Sequence, residues 1–503
     1  MPEILDLTDI QGNIVKAYGH ARYLWARYLL LRVDDADRAR AFLADLAPRV
    51  TSGIYADPER YPGVPKPDAT TNIAFTFEGL RAIELPSESL MGFAQEFAAG
   101  MKKRWAILGD DGPSAPEHWD EVWNKEVHIW ISINGLAENF VDERYQWICE
   151  RIRETGDGVT VLSGHRGPDG AQDLPYQPAA ALTDADGQLT GGEHFGFSDG
   201  IGDPVFVGQP QSNERVAGRG KLTPKGTWAP LATGEFLLGH IDEAMEYPKA
   251  PRPTVLARNG TYMVYRKLHE NVQTFRRFLS DQGKIFDGSE ELLAAKFAGR
   301  WRNGAPVVNA PDDESKKRWD EEYDKADPAK KRRMLIDFTY NDDIDGSKCP
   351  LSAHIRRINP RGSLEFGHKG AFDTPGALVD RRRILRRGLP YGTSGPDSGD
   401  DGEHGIIFMA LNSAIERQFE FVQQQWINYG NDFGEANDRE ILLGNHPMDR
   451  SGKMVIPAKP GSGKPPHFVS GIPRFVETRG GDYFFIPSIT ALKMIAAGII
   501  DPT

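Results

Sequence analysis

Apolar stretches that switch between strand and helix periodicity predict an α+β protein built from two ferredoxin-like domains. Three observations carry that expectation. The first half of the chain reads strand, helix, strand, strand, helix, strand, the order of an antiparallel sheet with helices on one face. The second half repeats strand-helix pairs in the same order. The chain has 503 residues, and single cores stop growing beyond roughly 250–300 residues, so it should divide. A Gly-, Pro- and Lys-rich stretch between Pro204 and Gly234 is the expected joint, giving an N-terminal domain over 1–220 and a C-terminal domain over 221–503.

Each element has its own signal. Ala21 to Val33, rich in Tyr and Leu and closed by Asp34 and Asp35, reads as a strand entering a helix cap, with the helix over Ala36 to Leu46. Thr71 to Phe77 and Val127 to Ile133 read as strands, with a short helix near Met91 to Met101 between them. Val141, Tyr145, Ile148 and Ile152 fall at helical spacing, and Gly158 to Ser163 supplies the next strand. In the second half, Glu235 to His240 and Thr261 to Lys267 read as strands, and Asn271 to Leu279 as a helix with Val272, Phe275 and Leu279 on one stripe. Ile406 to Leu411 follows as a strand, and Ala414 to Ile427 as a helix carrying Ile415, Phe419, Val422 and Trp426. Two segments stand outside the repeat. Asp312 to Arg333, dense in alternating charges, reads as a solvated helical insertion, and Gly392 to Gly405 as a surface loop.

Composition excludes several classes. With 39% hydrophobic, 10% aromatic and 26% charged residues, the chain can bury a full core and is not extensively disordered. A net charge of -12 argues against a nucleic-acid partner, which would need a basic surface. Cys149 and Cys349 have no metal-ligand spacing and read as two reduced thiols. The first residues lack a basic and an apolar signal region, and the most apolar segment, Tyr23 to Val33, is broken by Arg27 and Arg32 and too short for a bilayer. The expectation is a cytoplasmic protein with no membrane partner.

Three stretches carry chemistry. His194 to Val205, His-Phe-Gly-Phe-Ser-Asp-Gly-Ile-Gly-Asp-Pro-Val, sets one acid, Asp199, in a tight apolar turn. Gly196, Gly200 and Gly202 permit conformations a side chain would block, and Phe197 and Ile201 bring apolar surface, so the carboxylate should be partly desolvated. An Asx-turn closing a loop and a catalytic carboxylate beside a ligand both fit this pattern. Cys349 to Arg361 is the second stretch. Pro350 can open a short helix with His354 projecting from it, and Asn359-Pro360 stops it. A lone His is most often a core residue, but here it has Arg356, Arg357 and Arg361 for company. A neutral imidazole beside several guanidinium groups suits an iron porphyrin, which wants an axial nitrogen and cations for two propionates. The third stretch, Arg381 to Gly392, has five arginines around Ile384-Leu385, so most face solvent and one points inward.

Together the three stretches resemble the dye-decolourising peroxidases, haem enzymes built from two ferredoxin-like domains. Gly196-Phe197-Ser198-Asp199-Gly200 is similar to the family's Gly-x-x-Asp-Gly signature. The resemblance implies that Asp199 is the distal acid, that Arg386 is the distal arginine, and that His354 is the axial ligand to the haem iron. It further implies Arg361 near a propionate, Gly200 and Ile201 as cofactor contacts, and Ile406 and Phe408 as the apolar pair walling the distal pocket. The opening Asp-Ile-Gln-Gly-Asn-Ile also resembles the family, and length places the chain with the larger members. The implied cofactor is haem b, held mainly by the C-terminal domain, and the implied substrates are hydrogen peroxide with phenolic or dye reductants.

In this reading Asp199 moves a proton between the two peroxide oxygens, a role worth roughly 10²- to 10⁴-fold. An ordinary Asp is ionised above about pH 3.9, so acidic activity is expected. Arg386 stabilises the charge that develops as the O–O bond breaks. The second nitrogen of His354 needs an acceptor, for which Glu440 and Asp438 are the candidates. Large dyes would be oxidised through a surface aromatic residue, with Trp426 nominated against its alternative as a packed helix residue. A homodimer through sheet edges and Mn(II) as a further reductant are expectations that spacing does not localise. The rival reading is a haem-handling, iron-releasing protein with incidental peroxidase activity. A third reading drops the cofactor and makes His354 a core residue.

Overall fold

The computed structural model describes residues 4–167, 170–184, 186–365 and 376–501. Its first unit contains strands β1 (Trp25–Val33), β2 (Ala69–Phe75), β3 (Ile129–Gly135) and β4 (Val159–Val161), with helices Ala36–Leu46 and Glu138–Glu154 in the two crossovers. The strands lie antiparallel in the order β2-β3-β1-β4, the ferredoxin-like arrangement. Every residue of β2 and β3 is buried, as a strand covered on both faces requires. Strand β5 (Gln177–Ala180) pairs with the start of β1, beside β4. A small hairpin, β6 (Lys221–Leu222) and β7 (Trp228–Ala229), leads into the second unit.

That unit contains β8 (Thr261–Glu270), β9 (Leu385–Arg386), β10 (Leu389–Tyr391), β11 (Gly405–Asn412), the hairpin β12 (Gly452–Ile456) and β13 (His467–Ile472), and β14 (Val476–Ile486). Its sheet runs β14-β8-β11-β10, with β9 also on β11, so the same order is built twice. The halves join where Phe485 of β14 meets Phe75 of β2, making one ten-stranded sheet that curls until β5 packs beside β10. None of the described helices is long and apolar enough to cross a membrane.

Several elements differ from the sequence expectation. Glu235 to His240 is not a strand. Thr233–Glu235 is a single 3₁₀ turn, Gly239 takes φ of 76°, and the buried Glu235 carboxylate binds Arg417 at 2.7 Å. The second strand of this unit comes instead from the arginine-rich segment, as β9 and β10. The helix over Ala414 to Ile427 forms, but widened. Glu420 N–H donates to Ile415 O (2.9 Å) and Asn428 N–H to Gln423 O (3.0 Å), each five residues back. The helix near Met91 to Met101 is two short ones, Ser87–Met91 and Gln95–Ala99, separated at Gly92, where a Cβ would stand 2.8 Å from Pro251 Cα. The charged insertion is two helices, Asp313–Lys325 and Pro328–Ile336. Its outer face is solvated, yet Trp319 and Ile336 are buried, and Trp319 joins a small core with Trp301, Phe338 and Tyr340. The Gly392 to Gly405 segment is a loop up to β11, and Asp400 within it caps helix Val272–Gly283 by accepting from Gln273 N (2.8 Å) and Thr274 N (3.1 Å).

Candidate active site

A cavity of about 310 Å³ lies against the second unit's sheet. Its wall follows the two-residue period of strands: Arg266, Leu268 and Glu270 from β8, Ile406 and Phe408 from β11, Val476 and Thr478 from β14. The Asp199 loop and the short helix His354–Ile358 contribute the remaining chemistry.

The loop is shaped from within. Gly196, Gly200 and Gly202 have φ of 91°, 74° and 85°, the left-handed conformation that glycine adopts without strain. Phe195 and Phe197 are buried, and Phe195 stacks on Phe275 at 4.5 Å between ring centres. Glu193 accepts from Phe195 N (2.6 Å) and Phe197 N (2.7 Å), and Ser198 donates from N and Oγ to Arg302 O (2.9 and 2.8 Å). Asp199 follows at the cavity. Its side chain is 47% exposed, wetter than the apolar turn suggested.

Arg386 supplies the counter-charge. β9 pairs with β11 through Ala410 and Leu411, and strand alternation sends Arg386 and Arg387 to opposite sides. Arg386 Nη1 donates to Asp199 Oδ1 at 2.7 Å and Nη2 to Ile201 O at 3.1 Å, while its backbone N–H reaches Asp203 (3.2 Å). Burial pulls against the guanidinium's charge, but Asp199 and Asp203 outweigh it and raise its pKa. Arg387 turns away to Asp203 (3.0 Å) and Ile14 O (2.8 Å).

His354 opens its helix after a turn in which Ala353 N–H donates to Pro350 O (3.0 Å), and the helix ends at Ile358, before Asn359. Its Nδ1 lies 3.4 Å from Oε2 of fully buried Glu440. Glu440 also accepts from Leu442 N (2.8 Å) and Leu443 N (2.6 Å). Burial alone would raise its pKa, but His354 and these N–H groups hold it below the ordinary value. Of the two candidates, Glu440 is the one that faces His354. The Asp438 carboxylate lies instead 3.6 Å from Lys453.

The arginines beside His354 do not act together. Arg356 binds Asp343 (2.9 Å) and Arg357 donates to Trp426 O and Asp438 O (2.6 and 2.8 Å), both structural roles. Arg361 reaches the cavity wall, with Nη1 tied to the carbonyls of Gly218, Ile336 and Phe338 (3.2, 3.0 and 3.0 Å). Arg382 and Arg383 line the cavity too. Ile201, Ile406 and Phe408 are on the wall, whereas Gly200 shapes the turn without lining it. Trp426 is not a surface residue. It is 1% exposed, donates Nε1 to Asp432 at 3.0 Å, and packs on Phe421 and Phe433, as its place on an apolar helix stripe entails. Two cavity carboxyls, Glu193 and Glu270, had no signal in the sequence, because they come from unrelated segments.

The fold narrows the class first. Residues 9–168 match the profile of the DyP dimeric alpha+beta barrel domain, which places the fold in the α+β-barrel class. It is 31% identical to the multifunctional dye peroxidase DyP2 of Amycolatopsis sp. over 97% of this chain and 96% of that protein. It is 29% identical to Peroxidase 2 of Mycetinis scorodonius over 97% of this chain and 87% of that one. A dye-decolorizing peroxidase solved in complex with 2,6-dimethoxyphenol superposes with a TM-score of 0.74 at 26% identity, covering 98% of this chain and 100% of that one. The chain belongs to the dye-decolourising peroxidase family and is a peroxidase.

Members of that family are haem enzymes, and the residues here fit such a group. The cavity joins apolar walls to an imidazole whose Nδ1 faces the buried Glu440 carboxylate. Among the described residues it also offers buried guanidinium nitrogens without a partner, Nε and Nη1 of Arg266 and Nε of Arg382 and Arg474. Buried donors of this kind call for an anionic ligand.

Proposed function

We propose that the protein is a haem b peroxidase that uses hydrogen peroxide to oxidise phenolic compounds and aromatic dyes by one-electron steps. The N-terminal domain (1–220) brings Asp199, and the C-terminal domain (221–503) brings His354, Arg386 and most of the wall. The observation that carries this reading is the 2.7 Å ion pair between Asp199 and Arg386 in the same cavity as His354. His354, with Arg361 and Arg383 at the wall, would hold the haem, and the bound group would supply an iron that exchanges electrons with peroxide.

The chain's own residues supply the rest. Glu440 accepts the Nδ1 proton of His354, which fixes the tautomer and leaves Nε2 as a ligand of raised basicity. Arg386 favours the ionised form of Asp199, and that carboxylate takes a proton from one peroxide oxygen and returns it to the other. The guanidinium, partly shielded from water, offers donors to the charge that develops when the O–O bond breaks. Leu268, Ile406 and Phe408 give this space an apolar wall that keeps large reductants out. The balance is one hydrogen peroxide and two phenols giving two waters and two phenoxyl radicals. The phenol in the related peroxidase's complex supports that substrate class.

Stopped-flow measurement of the peroxide reaction of haem-loaded protein tests this. Asp199→Asn should lower the second-order rate by roughly 10²- to 10⁴-fold and Arg386→Leu by roughly 10²- to 10³-fold. Wild-type rates in both variants would sink the assignment. Haem bound without peroxide-driven turnover in the wild type would leave a haem-handling protein instead.

A further inference from the structure

Glu193 and Glu270 stand in the wall of the same cavity, and no step above uses them. Glu270 ends β8 on the face that carries Arg266 and Leu268, and it accepts from His194 N at 3.1 Å. Glu193 precedes the Asp199 loop and accepts from Phe195 and Phe197. The two carboxyl groups lie close enough to interact directly with each other. Two carboxyls make that contact only when one of them carries a proton. Among the described residues no cation forms an ion pair with either.

The groups around the pair explain why the proton stays. Asp199, on the loop after Glu193, adds a negative charge felt by both. From the same loop, the His194 ring is turned to Ser394 Oγ (2.8 Å) and Tyr391 O (3.0 Å). From β11 and the residue before it, His404 accepts the Glu270 N–H at its carbonyl (3.2 Å), and its ring lies between His194 and His269. From β14, Glu477 is engaged by Arg479 (2.7 Å), and from β10 the buried Tyr391 hydroxyl feels the charge of Glu270. Arg302 is occupied by Glu291 and by the carbonyl of Phe195. Burial keeps His194 and His404 neutral down to about 4. Burial raises both carboxyls above the usual range; the charge of Asp199 adds to this at each, and that of Glu193 adds further at Glu270, while the Phe195 and Phe197 N–H groups pull Glu193 back.

Reducing hydrogen peroxide to two waters takes two electrons and two protons. A reductant too large for the cavity delivers electrons from outside, so the protons must be held inside. We propose that Glu193 and Glu270 form a proton-holding pair that resupplies Asp199, keeping one shared proton at the cavity wall. The O–H bond at the pair breaks as one forms at the Asp199 carboxylate, and the pair is recharged from solvent. This rests on Asp199 being the acid-base group.

Glu270→Gln and Glu193→Gln keep shape and hydrogen bonding but cannot share a titrating proton. In the haem-loaded enzyme oxidising a bulky dye, the alkaline limb of the kcat profile should move to lower pH in Glu270→Gln, cutting kcat about tenfold near pH 7 relative to its own acid plateau. A role confined to shaping the loop would lower the whole profile without moving that limb. Infrared difference spectra of the wild type should contain a protonated-carboxyl band that titrates near neutrality and is absent from Glu270→Gln. An unmoved limb, or no such band in the wild type, overturns the pair. If both Gln variants fail to fold, Glu270→Asp and the wild-type band decide. Asp199→Asn separates the two readings: a wild-type peroxide rate there removes the acid-base role of Asp199, while the infrared band reports on the pair alone.

Discussion

His354 turns Nδ1 toward the buried Glu440 carboxylate, 3.4 Å away, which leaves its other ring nitrogen for the cavity. Glu440 also accepts from two backbone N–H groups, those of Leu442 and Leu443, so its buried carboxylate serves two donors besides facing the imidazole. Removing it in Glu440→Ala should cost about 1–3 kcal/mol in stability, the penalty of leaving buried donors unmade. Glu440→Gln, which keeps one acceptor oxygen, should lose less, and the order of urea midpoints, wild type above Gln above Ala, checks it. An Ala variant as stable as the wild type would mean that water replaces the carboxylate at no cost. At this scale the sequence was most readable where chemistry is local. Asp199, His354 and Arg386 each sit in a short run whose glycines, prolines or arginines announce a special position, and Asn-Asp-Arg-Glu narrowed the histidine's partner to two acids. Glu193 and Glu270 were unreadable because their meeting is a property of the assembled sheet. Of the two readings of Trp426 the packed one holds, because an indole on an apolar stripe packs unless something holds it out, and here Asp432 satisfies its N–H inside.

The elements that frame the cavity were legible in proportion to their length. β1, β3, β8 and the helices Ala36–Leu46 and Glu138–Glu154 run long enough for periodicity to speak. β9 and β10 have only two and three residues, too few for a two-residue period. They are strands because β11 offers them partners. Glu235 to His240 misled for the opposite reason. Phe236, Leu237 and Leu238 are all fully buried, but contiguous apolar residues do not say whether turns or a ladder bury them. The charged insertion is anchored by a capping box, in which Asp312 accepts Ser315 N (2.8 Å) and Ser315 Oγ accepts Asp312 N (3.0 Å). The second insertion helix ends at Ile336, whose carbonyl, with that of Phe338, holds Arg361, so the cap supports the cavity wall at a distance. Asp312→Ala should cost about 0.5–2 kcal/mol. Hydrogen bonds from Ser315 lower the folded pKa of Asp312 to about 2, below its ordinary value in the unfolded chain. The cap's contribution is therefore complete above the ordinary carboxylate range and is lost as pH falls toward about 2. The gap in denaturation midpoint between wild type and Asp312→Ala should accordingly be full at pH 6 and shrink in acid. A gap independent of pH would assign the loss to the helix rather than to the carboxylate.

Across the whole molecule the two units are joined far more by side chains than by the sheet. One residue pair, Phe485 with Phe75, carries the ladder between β14 and β2. Around it Phe93 packs edge-on against Phe485, ring centres 5.2 Å apart, and Phe97 lies tilted against Tyr262 at 5.2 Å. Gln11 donates to Ile73 O (3.0 Å) in one unit and to Pro487 O (2.9 Å) beyond the end of the other. Helix Ile489–Ala497, which follows β14, packs on helix Ala36–Leu46 of the first unit. The main core is continuous across this seam, taking in Leu29, Phe42 and Ile131 together with Val264, Ile407 and Phe484. A chain that shares one core between two ferredoxin-like units should unfold as one. Phe485→Ala should then cost about 3–5 kcal/mol and lower the midpoint of both units together, with tryptophan fluorescence and far-ultraviolet circular dichroism giving superimposable curves. Because the cavity lies on the second unit's strands while the Asp199 loop reaches it from the chain leaving the first, the same substitution should also weaken haem retention in step with stability. Separated transitions, with haem released in only one of them, would show that the seam is a contact between two independent domains.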